Sequence, residues 1–196
     1  RTSFKARVNG KISEKLEATV SANFVNSGGY RVQRGSNVRG VMLGLLRTTP
    51  SFDNGNGLSG QEAADEPSTY LLPDGRQRSY RAGIYDNPYW TSNKNPYEDD
   101  VNRLIGFAGL KYQITPWLAA QYRLGIDRYT DQRNWALDIV PGRIAGEVHQ
   151  FTITNRDINS DFLLLFNKDL SSDLTLNATV GHNYWYTRYV NQGSDG

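Results

Sequence analysis

The 196-residue chain has no cysteine, which excludes a disulfide framework and any thiolate metal site. It has two histidines, His149 and His182, and neither has a partner at metal-ligand spacing. No stretch approaches the roughly 20 apolar residues of a membrane-crossing helix. The longest apolar run is Val41 to Leu46. There is no run of Lys and Arg, and a net charge of +2 is too small to argue for a nucleic-acid partner. Apolar residues make up only 38% of the chain, too few for a large dry core.

What the sequence does have is Gly (19), Tyr (12) and a repeated pattern. Ile12-Ser13-Glu14-Lys15-Leu16, Ile114-Thr115-Pro116-Trp117-Leu118 and Leu170-Ser171-Ser172-Asp173-Leu174 each place a short polar or Pro-containing turn between two aliphatics. Around each turn apolar and polar residues alternate with period two, the signature of a hairpin. Phe4, Ala6, Val8, Gly10 and Ile12 share one face, opposite Lys5, Arg7, Asn9 and Lys11; Leu16, Ala18, Val20, Ala22 and Phe24 oppose Glu17, Thr19, Ser21 and Asn23. Later strands repeat the alternation, with Leu118, Ala120, Tyr122, Leu124 and Ile126 against Gln121, Arg123 and Asp127 as one example.

The expected fold is therefore all-β, six antiparallel strands in three hairpins, over about 2–12, 16–26, 102–114, 117–130, 151–168 and 174–190. Strands of about ten residues exceed the five or six usual in soluble sandwiches and suit a tilted crossing of a bilayer. One apolar face per strand is what a transmembrane barrel needs, with short turns at one end and long loops at the other. Tyr184 and Tyr186 are expected at an outer aromatic girdle, His182 on the same outward face, and Trp117 at an inner girdle. The polar faces place Lys5, Arg7, Lys11, Glu17, Arg103, Lys111, Arg123 and Asp127 on the lumen side. Six strands do not close a barrel, so the chain reads as part of a larger one.

The long connection, about 27–101, is expected to have structure or function of its own. Ser36 to Arg47 reads as a short amphipathic helix with Ser36 as N-cap. Ser51 to Gln77 reads as irregular loop, and Asp53-Asn54-Gly55-Asn56-Gly57 within it as an Asx-type turn rather than a calcium loop, since no bidentate Glu follows at the required spacing. Glu98, Asp99 and Asp100 read as a solvated acidic loop end near Lys94 and Arg103. As neighbours in extended chain they point apart, unlike a glycosidase pair, and Ser171-Ser172 has no base nearby, so no catalytic residue is expected. Tyr80, Tyr85, Tyr89, Trp90, Asn93 and Asn95, with Trp135 and Asp138 in the next loop, combine flat aromatics with amides and a carboxylate, the groups a sugar ring needs.

Asn87-Pro88-Tyr89-Trp90, Asn93, Asn95, Asp99-Asp100, Asn102-Arg103 and Gly106, then Leu110-Lys111-Tyr112, Pro116-Trp117-Leu118 and Arg123 to Asp127, resemble the barrel of SusC/RagA-like TonB-dependent outer-membrane transporters of the Bacteroidetes. Gly35 to Asp53 is similar to the preceding loop in that family. The resemblance implies a 22-stranded barrel in the bacterial outer membrane, contacting its lipid. It further implies a plug acted on by a TonB-type energy-coupling protein, a SusD-like surface lipoprotein as lid, and import of oligosaccharides or peptides without a cofactor. No plug or TonB box is found in this chain, which looks like a middle slice of such a barrel. A second reading keeps the barrel but makes it a structural or secretion-associated component of an envelope complex. A third is a soluble, secreted β-rich binding module.

Overall fold

The computed structural model describes residues 1–35, 40–139 and 145–196. Six strands form one antiparallel sheet in the order β1-β2-β3-β4-β5-β6. They are β1 (Thr2–Lys11), β2 (Leu16–Tyr30), β3 (Tyr97–Thr115), β4 (Leu118–Leu137), β5 (Glu147–Ser171) and β6 (Leu174–Asp195). The three short turns lie where the aliphatic-turn-aliphatic segments put them, each joining neighbours in the sheet.

Five strands, β2 to β6, run longer than the alternation indicated. β3 begins at Tyr97 and β4 continues to Leu137, so the connection to β5 narrows to residues 138–146 instead of about 20 residues. The reason is that the alternation is produced by two unlike environments, whereas backbone pairing needs none. Beyond the apolar stretch polar residues appear on both faces, as at 98–100 of β3 and 191–195 of β6, and the pattern fades while the ladder continues. Asp99 and Asp100 accordingly lie within β3 and not in a loop end.

Register preserves the segregation of faces across strands. In β1 and β2, Phe4 stands opposite Phe24, Ala6 opposite Ala22 and Val8 opposite Val20, while Lys5 meets Asn23, Arg7 meets Ser21 and Lys11 meets Glu17. Phe4, Val8, Val20, Leu110, Leu124, Leu176 and Val180 are all exposed, an apolar surface covered by no other described part of the chain. The apolar stretch has a visible end on this even-numbered face. Past Phe24 and Leu104, the Asn26 side chain donates to Asp100 (3.0 Å) and Asn102 (2.9 Å). In β4 the face turns from Ile126 to Arg128.

The chain divides into two compact units. One contains Arg1–Ser27, Asp100–Asp131 and Thr152–Asn191; the other contains Gly28–Asp99, Gln132–Phe151 and Gln192–Gly196. In the second unit α1 (Val41–Arg47) forms within the segment expected to be helical, and two further short helices, α2 (Gly60–Asp65) and α3 (Pro88–Lys94), with a 3-10 turn at Pro67–Thr69, stand where no helix was expected. α1 starts at Val41 behind Gly40, which has no side chain with which to cap it. A Cβ at Gly40 would lie 2.4 Å from the carbonyl oxygen of Gly35, so a close backbone approach fixes the helix start. The expected cap Ser36 and the residue Val38 lie outside the described residues.

Candidate functional site

On the odd-numbered face of β3 to β6 the polar side chains join from strand to strand. The Arg103 guanidinium grips both oxygens of Asp127, Nε at 2.9 Å from Oδ1 and the second nitrogen on Oδ2. Arg123 pairs with Asp161 at 2.9 Å. Asn183 donates to Asp161 at 2.6 Å and to Asn159 at 3.1 Å, and Thr187 donates to Asp157 at 2.7 Å. Arg103, Arg123 and Asp127 are thus met within the sheet, whereas Asp157 is met by neutral donors.

The β1–β2 part of the same face differs. Lys11 stands opposite Glu17, whereas Lys5 and Arg7 stand opposite the neutral Asn23 and Ser21. Arg7 contacts Asn9 two residues along its own strand at 3.4 Å. Lys111 borders a recess of about 620 Å³ near the turns, with Gln113, Trp117, Asn167, Asp169 and Asn177 around it. The Trp117 ring is stacked on Phe166 at 6.3 Å with the Lys168 ammonium 5.3 Å from it, both of them even-numbered residues of β5. Tyr184 and Tyr186 do share the even face with Arg156, whose guanidinium lies 5.7 Å over the Tyr186 ring.

The long connection is organised by Asn87. This residue is 1% exposed; its amide donates to the carbonyls of Arg78 (2.9 Å), Thr69 (3.1 Å) and Asn54 (3.2 Å), and its oxygen caps α3 by accepting from the Tyr89 N–H at 2.9 Å. Pro88 follows at the first helical position, where its missing N–H costs nothing. Asp53 closes the 53–57 loop by accepting from the Gly57 and Gly55 N–H groups at 2.5 and 2.8 Å. This is the Asx-type turn expected of the segment. Those two backbone hydrogen bonds, Gly57 first, hold the Asp53 carboxyl below its ordinary range. Among the described residues no group of three His, Asp or Glu is placed to hold a metal ion.

The eight loop residues singled out from the sequence do not converge. Trp90 is buried, edge-on to Tyr70 at 6.4 Å. Asn95 is also buried, accepting from the Asp138 N–H at 2.9 Å, so these two hold loops together. Asp138 also folds its carboxylate back on the Ile139 N–H at 2.8 Å. Asn93 is exposed but its amide is engaged with the carbonyls of Tyr89 (2.8 Å) and Ala64 (3.0 Å). Tyr80 is exposed beside Phe52 at 6.3 Å, and half-buried Tyr85 lies under Arg47 at 5.9 Å. Tyr89 is half-buried on α3.

Trp135 lies in a different setting, stacked on His149 with ring centroids 3.6 Å apart and planes 14° from parallel. Phe151 lies parallel to His149 at 6.3 Å, and the two imidazole nitrogens meet Asp195 (2.5 Å) and Glu147 (3.2 Å). Sequence reasoning missed this group. Glu147, His149 and Phe151 stand at i, i+2 and i+4 on one strand face, a legible spacing, but Asp195 arrives from β6 through register alone. Burial opposes protonation of His149, and the hydrogen bonds to Asp195 and then Glu147 outweigh it, so the ring titrates above its ordinary value.

Among solved structures the chain is similar to a chain of the one described as "Structure of the RagAB peptide transporter", with a TM-score of 0.63 and 12% sequence identity. The match covers 99% of this chain and 21% of that one, so the sequence spans about a fifth of its length. No family model matches, and neither does any curated protein. At this identity the likeness speaks for the fold. The fold is all-β, one antiparallel sheet of three hairpins, and it is shared with part of that chain.

Proposed function

We propose that the chain is part of the wall of an outer-membrane, TonB-dependent importer for large nutrients, oligosaccharides or peptides, working with a SusD-like surface lipoprotein. The observation that carries this reading is the division of the sheet into an exposed apolar face and a charged, largely self-paired face, maintained from strand to strand. An exposed surface of Phe4, Val8, Val20, Phe24, Leu110 and Leu124 is costly in water and suits lipid. The structural likeness to a protein titled a peptide transporter supports transport, and peptides among the cargoes.

In this reading Lys5, Arg7, Lys11, Glu17, Arg103, Lys111, Arg123 and Asp127 line the lumen, and cargo first meets the accessible loop residues Tyr80, Tyr85, Tyr89 and Asn93. Trp90, Asn95 and Asp138 support those loops. The chain makes and breaks no bond of its cargo, and energy reaches it through a plug. The test compares two single variants in membranes, Val20→Cys and Thr19→Cys. The thiol of Val20→Cys is expected to resist a charged, water-soluble reagent and, once labelled with a fluorophore, to be quenched by lipid-borne probes. The thiol of Thr19→Cys is expected to react readily. Equal reactivity of the two variants would sink the proposal.

A further inference from the structure

We propose that His149 is a proton-operated latch that fastens the neighbouring ends of β4, β5 and β6 together, closed when the ring carries two protons and released when it loses one.

The geometry assigns the charge. A carboxylate can only accept, and both ring nitrogens of His149 face carboxylate oxygens, Asp195 Oδ1 at 2.5 Å and Glu147 Oε2 at 3.2 Å. Both nitrogens must therefore donate, which only the imidazolium does. The Trp135 face lies 3.6 Å away, so the cation also gains the attraction of an aromatic ring. Removing one proton turns a lone pair toward an anion, and an attraction becomes a repulsion at one of the two contacts.

Three strands meet in this one ring. Trp135 comes from β4, Glu147 and Phe151 from β5 with His149 itself, and Asp195 from β6. Beside it the β5–β6 ladder closes with a reciprocal pair of backbone hydrogen bonds between Val148 and Gly196, at 2.8 and 3.0 Å. Space has been kept for the stack: a Cβ at Gly193 would lie 2.6 Å from the Phe151 ring, so only glycine in β6 lets Phe151 lie parallel to His149. Among the described residues the charged groups on the faces packed against the imidazole are Asp195 of β6 and Glu147 of β5; on the same face of β4, Arg133 and Asp131 precede Trp135 by two and four residues. The site lies outside the apolar stretch of β5, 13 residues along the strand from Phe162.

His149 titrates above its ordinary value, which sets the sign. Its stabilising effect is complete below the ordinary histidine range and disappears as pH rises through the elevated value. Hydrogen exchange of the 145–151 and 190–196 backbone, corrected for intrinsic rates, would be followed from about pH 5.5 to 8.5, a span bracketing histidine titration. The protein would be held in detergent, and NMR of selectively labelled histidines would run alongside. Protection of both segments is expected to fall at least several-fold across the pH interval in which the His149 signal titrates. Asp195→Asn should move the titration and the loss of protection together to lower pH. His149→Phe, which retains a stacking ring without a proton, should make protection independent of pH. Flat protection in the unaltered protein, or persistence of its pH dependence in His149→Phe, would overturn the latch. So would a loss of protection that stays at the same pH in Asp195→Asn.

Discussion

The amide nitrogen of Asn87 lies 2.9 Å from the carbonyl oxygen of Arg78, while the Arg78 guanidinium reaches the other two carbonyls which that amide meets, Thr69 at 3.2 Å and Asn54 at 3.3 Å. One buried side chain and its neighbour thus tie together pieces of chain at positions 54, 69, 78 and 89. Asn87→Ala is expected to lower the stability of the 28–99 unit by about 1–3 kcal/mol, the cost of leaving a buried polar group unmet. Asn87→Ser keeps a cap for α3 but not the donors, and should fall between. Asn87→Asp, which points oxygens at three carbonyls, should be worse than Ala. Limited proteolysis and hydrogen exchange of the 28–99 segment measure this, with the β1 and β2 hairpin as the unchanged reference.

Arg123 and Asp161 connect β4 to β5 on the odd-numbered face while remaining 41% and 21% exposed. A pair so open to solvent contributes about 0.5 kcal/mol. A double-mutant cycle of Arg123→Ala and Asp161→Ala, read by denaturant unfolding, should give a coupling of that size that shrinks as salt is added. Asp161→Ala alone should cost more than Arg123→Ala, because Asn183 also donates to this carboxylate at 2.6 Å.

The Asp53 loop gives a pH dependence of the opposite sign to that of His149. Its carboxyl is held below the ordinary value of 3.8 by the Gly57 and Gly55 N–H groups, so its stabilising effect is present above that value and lost as pH falls through the lowered one. Backbone protection of residues 53–57 is expected to stay constant from neutral pH down to about pH 4 and to fall only below it. Asp53→Ala should abolish the protection at all pH values. Hydrogen exchange in acid measures both. The left-handed backbone of Asn56 (φ 52°) and Gly57 (φ 89°) makes this loop ready to open once the carboxylate stops holding it.

The strands were legible because their two faces meet different surroundings, and period-two alternation is the direct record of that difference. Their outer ends were not: from Asn26 and Asn102 outward polar residues fall on both faces, and backbone pairing continues without an alternation to mark it. α3 did carry a written signal, Asn87 as cap with Pro88 after it, yet at seven residues it has no full apolar stripe, and its buried positions include Thr91. The aromatics of the long connection were legible as a group but not by role. Trp90 and Tyr80 have the same kind of side chain, and only tertiary packing makes one a support and the other a surface. Asp195 was invisible as a partner of His149 because the two are joined by strand register and by nothing local.

Cross-strand partners on the sheet share numerical parity, odd with odd for Arg103 and Asp127, Arg123 and Asp161, His149 and Asp195, and even with even for Asn26 and Asn102 or Tyr122 and Ser160. The gene is thereby placed under a rule of counting. A codon inserted between Leu118 and Ile126 would exchange the surroundings of every residue between it and the next bend, carrying Leu124 to the charged side and Arg123 or Asp127 to the apolar one. The same codon inserted at 72–76 would alter no strand. Variation in length is therefore confined to the connections, and within the strands it is tolerated only in pairs of residues or where a bulge absorbs the extra one.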